Sequence, residues 1–195
     1  MSKVDQPEEG EAAKAEDVRS AIRQALRWLQ AHDRPRAEIE RRLRERGVAP
    51  PVCQEALSTL ERWGYVDDAR YARQWVAESL SQGRAGKERL RLELVARGLP
   101  RDLVDQALAD VSAEGELESA LQAAHRWVRQ DERIVSESNR ARRASSRSQR
   151  LWQYLSRKGF SHNVVREVVF RLLPLDQRPA AEDQEELLDT PDGES

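Results

Sequence analysis

Apolar residues recur along this chain at helical spacing, and one pattern of them is written three times. Ile39 and Leu43, Leu90 and Leu94, and Leu151 and Leu155 stand eight and four residues before a glycine. Each glycine lies between a basic and an apolar residue: Arg46-Gly47-Val48, Arg97-Gly98-Leu99 and Lys158-Gly159-Phe160. Five, nine and thirteen residues after it stand Val52, Ala56 and Leu60, then Leu103, Ala107 and Val111, then Val164, Val168 and Leu172. Steps of four place each set on one helical face. The glycine between the sets ends the first helix in the left-handed conformation, which costs a residue without Cβ little. The basic residue before it suits the negative end of the helix dipole. Ser161 reads as the N-cap of the last helix, and Pro50–Pro51 and Pro100 suit the starts of the other two. A further helix precedes each pair and carries a tryptophan (Trp28, Trp75, Trp127), which reads as a core anchor.

The pattern predicts an all-α chain of three tandem three-helix repeats, an elongated body that works through its surface. The expected boundaries are 18–64, 65–112 and 113–175, with a basic insertion at 133–148 in the third repeat and acidic, disordered segments at 1–17 and 176–195. A unit of this size is near the lower limit for a core of its own, so neighbouring units should lean on one another.

Composition agrees. Charged residues are 35 % of the chain and aromatic residues 5 %, which suits a helical protein with much exposed surface. There is no apolar run of membrane-spanning length, and the polar N-terminus does not resemble a signal peptide. The single cysteine, Cys53, cannot form an internal disulfide. These features predict a cytoplasmic monomer with no membrane contact. The net charge of −2 hides a segregation: Met1–Asp17 carries −4, Asp176–Ser195 carries −7, and Val18–Leu175 carries +9.

Two basic groups are candidate binding residues. Arg140, Arg142, Arg143, Arg147 and Arg150 lie in the densest basic stretch, Arg133–Lys158, where the Ser/Arg-rich run Ile134–Ser148 reads as a long loop or frayed helix start. Such a run can follow a phosphate backbone or act as a solvated linker. Arg84, Lys87, Arg89 and Arg91 lie just before and on the repeat helix of the middle unit, with Lys87 and Arg91 one turn apart on one face. His32, His125 and His162 have no spacing that suits a metal site or a catalytic triad, and no glycine-rich phosphate loop occurs. No enzyme activity, metal or cofactor is expected.

Between the first two repeats lies Trp63-Gly64-Tyr65-Val66-Asp67-Asp68-Ala69-Arg70-Tyr71-Ala72. Gly64 can close one helix and Asp67 can cap the next, with Val66 and Tyr71 as the hydrophobic staple across its start. Two adjacent carboxylates at a helix start read as a cap and a dipole partner rather than a metal site.

This string resembles the RecX regulatory proteins of bacteria. The likeness continues in Gly86-Lys87-Glu88-Arg89-Leu90-Arg91-Leu92-Glu93-Leu94, in Arg97-Gly98-Leu99 and in Arg157-Lys158-Gly159-Phe160-Ser161, and covers about Val18 to Leu173. The family-signature positions are Gly64, Tyr65, Asp67, Asp68, Tyr71, Leu90, Glu93, Leu94 and Gly98, read here as mainly structural. The Ile134–Ser148 run is longer and more basic than the family pattern. The resemblance implies a curved body of three-helix repeats that binds RecA filaments on single-stranded DNA, in the filament groove. It also implies suppression of RecA's ATPase, strand-exchange and SOS co-protease activities, with consequences for DNA repair and homologous recombination. Arg84, Lys87, Arg89 and Arg91 are then candidates for the filament contact. Arg140, Arg142, Arg143, Arg147 and Arg150 are candidates for the nucleic-acid backbone. A helical DNA-binding protein, touching single- or double-stranded DNA through the Arg-rich run, is the alternative. The exposed positions of the candidate third helices, Gln54, Glu55 and Glu61 in the first unit and Asp102, Asp105 and Asp110 in the second, are acidic or neutral, which disfavours base reading by those helices.

Overall fold

The structure, a computed structural model, describes the backbone of residues 7–134 and 140–173, and side chains within 14–131 and 147–173. The described residues form nine helices and no strand: α1 (Pro7–Leu29), α2 (Arg36–Glu45), α3 (Pro50–Arg62), α4 (Asp68–Ser81), α5 (Lys87–Ala96), α6 (Arg101–Ala109), α7 (Ala113–Ile134), α8 (Arg140–Arg157) and α9 (His162–Leu172). They follow the three-by-three order expected from the repeat. None of them is long and apolar enough to cross a membrane. α1 begins at Pro7, inside the acidic segment read as disordered, while residues 1–6 and 174–195 lie outside the described residues.

The repeated apolar positions are the core. Ile39, Leu43, Leu90, Leu94, Leu151 and Leu155 are fully buried, as are Ala56, Leu57 and Leu60 after the first glycine and Val165 and Val168 after the third. In the first repeat, α1 and α2 pack on α3 around Ile22, Ala25, Ile39, Leu43, Leu57 and Leu60. In the third, α7 and α8 pack on α9 around Ala120, Ala124, Leu151, Leu155, Val165 and Val168. Contacts divide the chain into two compact units. One is Met1–Val76 with Arg91–Ala109; the other is Ala77–Leu90 with Asp110–Ser195. The divisions fall inside α4 and α5, so each unit takes part of the middle repeat.

All three repeat glycines are left-handed, with φ of +81° at Gly47, +87° at Gly98 and +76° at Gly159. They end their helices as a Schellman-type turn does: the N–H of Val48, Leu99 and Phe160 reaches back to the carbonyl of Leu43, Leu94 and Leu155. Two of the three do more than end a helix. In the first unit, a Cβ on Gly98 would stand 2.5 Å from the Ala37 Cβ on α2. In the second unit, a Cβ on Gly159 would stand 2.6 Å from the Arg89 Cβ and meet the Arg89 backbone. The glycine of one repeat thus seats against the second helix of the repeat before it.

The helix starts depart from expectation in two places. Ser161 is extended like an N-cap, but its side chain bonds nothing in α9; its Oγ and its N–H lie 3.4 and 3.2 Å from the carboxylate of Glu116 on α7. Glu116 is buried, so a carboxylate distant in sequence accepts from the serine and takes up the hydroxyl expected to face α9. The run expected as a loop or frayed start is helical from Arg140 onward, since Ala, Arg and Ser tolerate a helix and α8 packs on α7. Residues 135–139 lie outside the described ones.

Candidate functional site

Asp67 and Asp68 are separate caps. Asp67 Oδ1 accepts the N–H of Arg70 at 2.8 Å and so caps its own helix, α4. Asp68 Oδ1 accepts the N–H of Arg36 at 2.8 Å and so serves the first turn of α2. Arg36 is the first residue of α2, so its N–H has no partner within the helix and Asp68 supplies one. The Arg36 side chain meanwhile reaches Glu61 on α3 at 2.8 Å, Gln54 at 2.7 Å and Glu40 at 3.4 Å. Burial raises the Asp68 carboxyl above the usual range, although the bond from Arg36 pulls it down. Val66 and Tyr71, the expected staple, are both buried, and burial also raises the Tyr71 hydroxyl.

The basic residue before each repeat glycine faces an aromatic ring of its own repeat. The Arg46 guanidinium lies 5.2 Å from the Trp28 ring, and the Arg97 guanidinium lies 3.9 Å from that of Trp75. Lys158 lies 5.3 Å from the Tyr154 ring, which sits 6.2 Å from Trp127. Arg97 also donates to the Tyr71 hydroxyl at 3.2 Å, and the Tyr71 and Trp75 rings stack. The basic–glycine phrase is therefore a cation–π clasp as well as a helix end. Pattern reading at helical spacing could not find the first two, because their partners are eighteen and twenty-two residues apart, whereas Tyr154 and Lys158, four apart on α8 and its end, lay within its reach.

The proposed filament-facing residues are placed unequally. Lys87 is half-buried and its Nζ donates to the carbonyl of Val111 at 2.6 Å, so its charge serves the chain just past α6. Arg91 is half-buried and paired with Asp105 at 3.1 Å. Arg84 is exposed and reaches Glu78 at 2.8 Å. Arg89 is exposed on the first turn of α5. The N–H of Gly86 and that of Glu88 donate to the carbonyls of Lys158 and Gly159, which fixes the start of α5 in the second unit.

Of the proposed backbone-contacting arginines, Arg147 and Arg150 both turn to Asp131 of α7, at 3.5 and 2.7 Å, and Arg150 also lies 5.6 Å from the Trp127 ring. Asp131 is one-tenth exposed, so this pairing ties α8 to α7 from within. Arg140, Arg142 and Arg143 fall on α8, with their side chains outside the described residues. Of the signature positions, Leu90 and Leu94 are buried core and Glu93 is half-buried, whereas Tyr65 is exposed beside Gly64.

The matches to known proteins follow the same helices. Residues 21–60 match the family model described as RecX, first three-helix domain, and residues 67–108 match RecX, second three-helix domain. The chain is 32 % identical over 163 residues to the regulatory protein RecX of Mycobacterium avium (strain 104), covering 84 % of this chain and 88 % of that one. It is 31 % identical to the regulatory protein RecX of Geobacillus thermodenitrificans (strain NG80-2) over 77 % of this chain, but spans about half of that relative's length, 53 %. The crystal structure of RecX from Lactobacillus salivarius superposes with a TM-score of 0.67 at 22 % identity, over 81 % of this chain and 97 % of that one. A second crystal structure of a regulatory protein RecX gives 0.70 at 24 %, over 86 % and 80 %. These two establish a shared fold.

Proposed function

The chain belongs to the RecX family of regulatory proteins, and from that premise we propose that it inhibits the RecA recombinase. It binds RecA filaments on single-stranded DNA in the filament groove and lowers their ATPase, strand-exchange and SOS co-protease activities. It acts in the cytoplasm as a regulator of DNA repair and homologous recombination, and is not an enzyme. The observation that carries this reading is the identity of 32 % to a regulatory protein RecX over 84 % of the chain. The physics supports it. A body built of repeated small modules offers several separate patches, and contacts spread over several modules add by avidity even when each is weak.

Arg84 and Arg89 are the exposed members of the proposed filament contact. The test is the DNA-dependent ATPase of RecA from the same organism, titrated with this protein. Inhibition at substoichiometric ratios is expected, and the Arg84→Glu/Arg89→Glu variant should need about tenfold more protein for the same effect if each contact contributes about 0.7 kcal/mol. Absence of inhibition at every ratio would overturn the function. Full inhibition by the variant would remove these two residues from the contact.

A further inference from the structure

Trp63 and Tyr65 are 57 % and 51 % exposed, and the other exposed large apolar side chain among the described residues is Leu92, on α5. Single exposed apolar residues are ordinary, but an adjacent tryptophan and tyrosine are not. The turn between α3 and α4 creates the pair. Gly64 is left-handed, with φ of +74°, and the rings on either side of it meet edge to face, 6.5 Å apart at 77°. Neither ring belongs to the apolar cluster of the first repeat, where Val66 is the residue of this turn that is buried. The core therefore does not need them.

Three arginines flank the pair along the chain. Arg62 precedes it, is exposed, and is held by a bond to Thr59 Oγ1 at 3.2 Å. Arg70 lies with Nη2 3.4 Å from the Gly64 carbonyl, on the peptide that joins the two aromatic residues' turn. Arg73 is exposed one turn further along α4. The nearby acids are largely engaged: Asp67 caps α4, Glu61 pairs with Arg36, and Glu38 pairs with Arg34. Asp33 remains, at the edge of a shallow depression beside Tyr65, Arg34 and Arg70.

We propose that Trp63 and Tyr65 form a stacking platform for the bases of single-stranded nucleic acid, with Arg62, Arg70 and Arg73 along its phosphates. Every base has a π-face, so two open rings bind without sequence preference, while guanidinium groups follow the backbone. Arg62, Arg70 and Arg73 are all exposed and supply, beside the rings, the positive charge that a phosphate backbone requires. The proposal goes beyond the RecA reading and uses none of the arginines of the Arg-rich run.

The test is fluorescence anisotropy of a labelled 30-nucleotide oligo(dT) with the full chain and no RecA, at about 50 to 200 mM salt. Trp63→Ala/Tyr65→Ala should weaken binding about tenfold or more with an unchanged salt slope, while Trp63→Phe, which keeps a ring, stays within about threefold of the parent. Arg62→Gln/Arg73→Gln should instead flatten the slope, by about 0.7 for each phosphate no longer neutralised. Helical circular dichroism, expected unchanged in all of them, reports folding. Parent-like binding by the double alanine variant, or no binding by the parent chain, overturns the platform. If that variant binds the oligomer normally but no longer inhibits RecA, the pair is a protein-docking surface and the proposal is again overturned. The RecA reading stands or falls on the ATPase alone.

Discussion

Asp67 and Asp68 are neighbours in sequence, yet each caps a different helix, and their variants should behave differently. Asp67→Ala removes the α4 cap and should cost about 1 kcal/mol in thermal or urea unfolding. Asp68→Ala leaves the Arg36 N–H without its acceptor and should cost about as much. Asp68→Asn keeps an oxygen there and should not. The sign of the pH dependence follows from the raised Asp68 carboxyl. An acid raised in the folded state contributes stability that is complete below its unfolded value and lost as pH rises through its folded value. Asp68→Asn should therefore match the parent in strong acid and become the more stable of the two from the ordinary carboxylate range up to neutral pH. Melting temperatures at about pH 3, 5 and 7 would show this, and a gap that closes with rising pH would refute it. Asp67 was legible as a cap because the cap and its N–H are three residues apart. The task of Asp68 was not legible, because its partner lies thirty-two residues away.

Among the helices, the repeat glycines make a graded prediction. At Gly47 a Cβ meets nothing, so Gly47→Ala pays for the left-handed backbone alone, about 1 kcal/mol. Gly98→Ala adds a collision with Ala37, and Gly159→Ala adds one with the backbone of Arg89, which cannot swing aside as a side-chain tip can. Stability should fall in the order Gly47→Ala, Gly98→Ala, Gly159→Ala, read from urea midpoints. Gly98→Ala/Ala37→Gly should be more stable than the sum of its single changes, since the two positions touch. Equal losses at all three glycines would mean that the repeats do not seat on them. The helix ends and apolar faces were readable because they depend on neighbours within one or two turns. The start of α8 and the acceptor at Ser161 were not, because packing on α7 and the Glu116 carboxylate supply what local sequence does not.

At the scale of the whole molecule, the middle repeat is shared between two units. Residues 77–90 precede Arg91–Ala109 in sequence but find their partners beyond Asp110: Gly86 and Glu88 donate to the turn at Lys158–Gly159, and Lys87 reaches Val111. A chain ending at Ala109 should keep the α1–α3 core but expose these amides. Hydrogen exchange should find Gly86 and Glu88 protected in the full chain and fast in the 1–109 fragment; continued protection there would show that α5 starts without those partners. By itself the sequence determined that the protein is helical, that its unit is three helices, which residues face the cores, where each second helix ends and which family it belongs to. Each follows from side chains a few positions apart, where helical geometry sets the distance. The tertiary structure alone decided that Arg46 and Arg97 of the basic–glycine phrase each clasp an aromatic ring, that Lys87, Arg147 and Arg150 turn to internal partners, and that Trp63 and Tyr65 stay outside. Those outcomes depend on which surfaces meet across tens of residues, and charge or ring chemistry in a string of letters does not say whether it is spent inward or left to a partner.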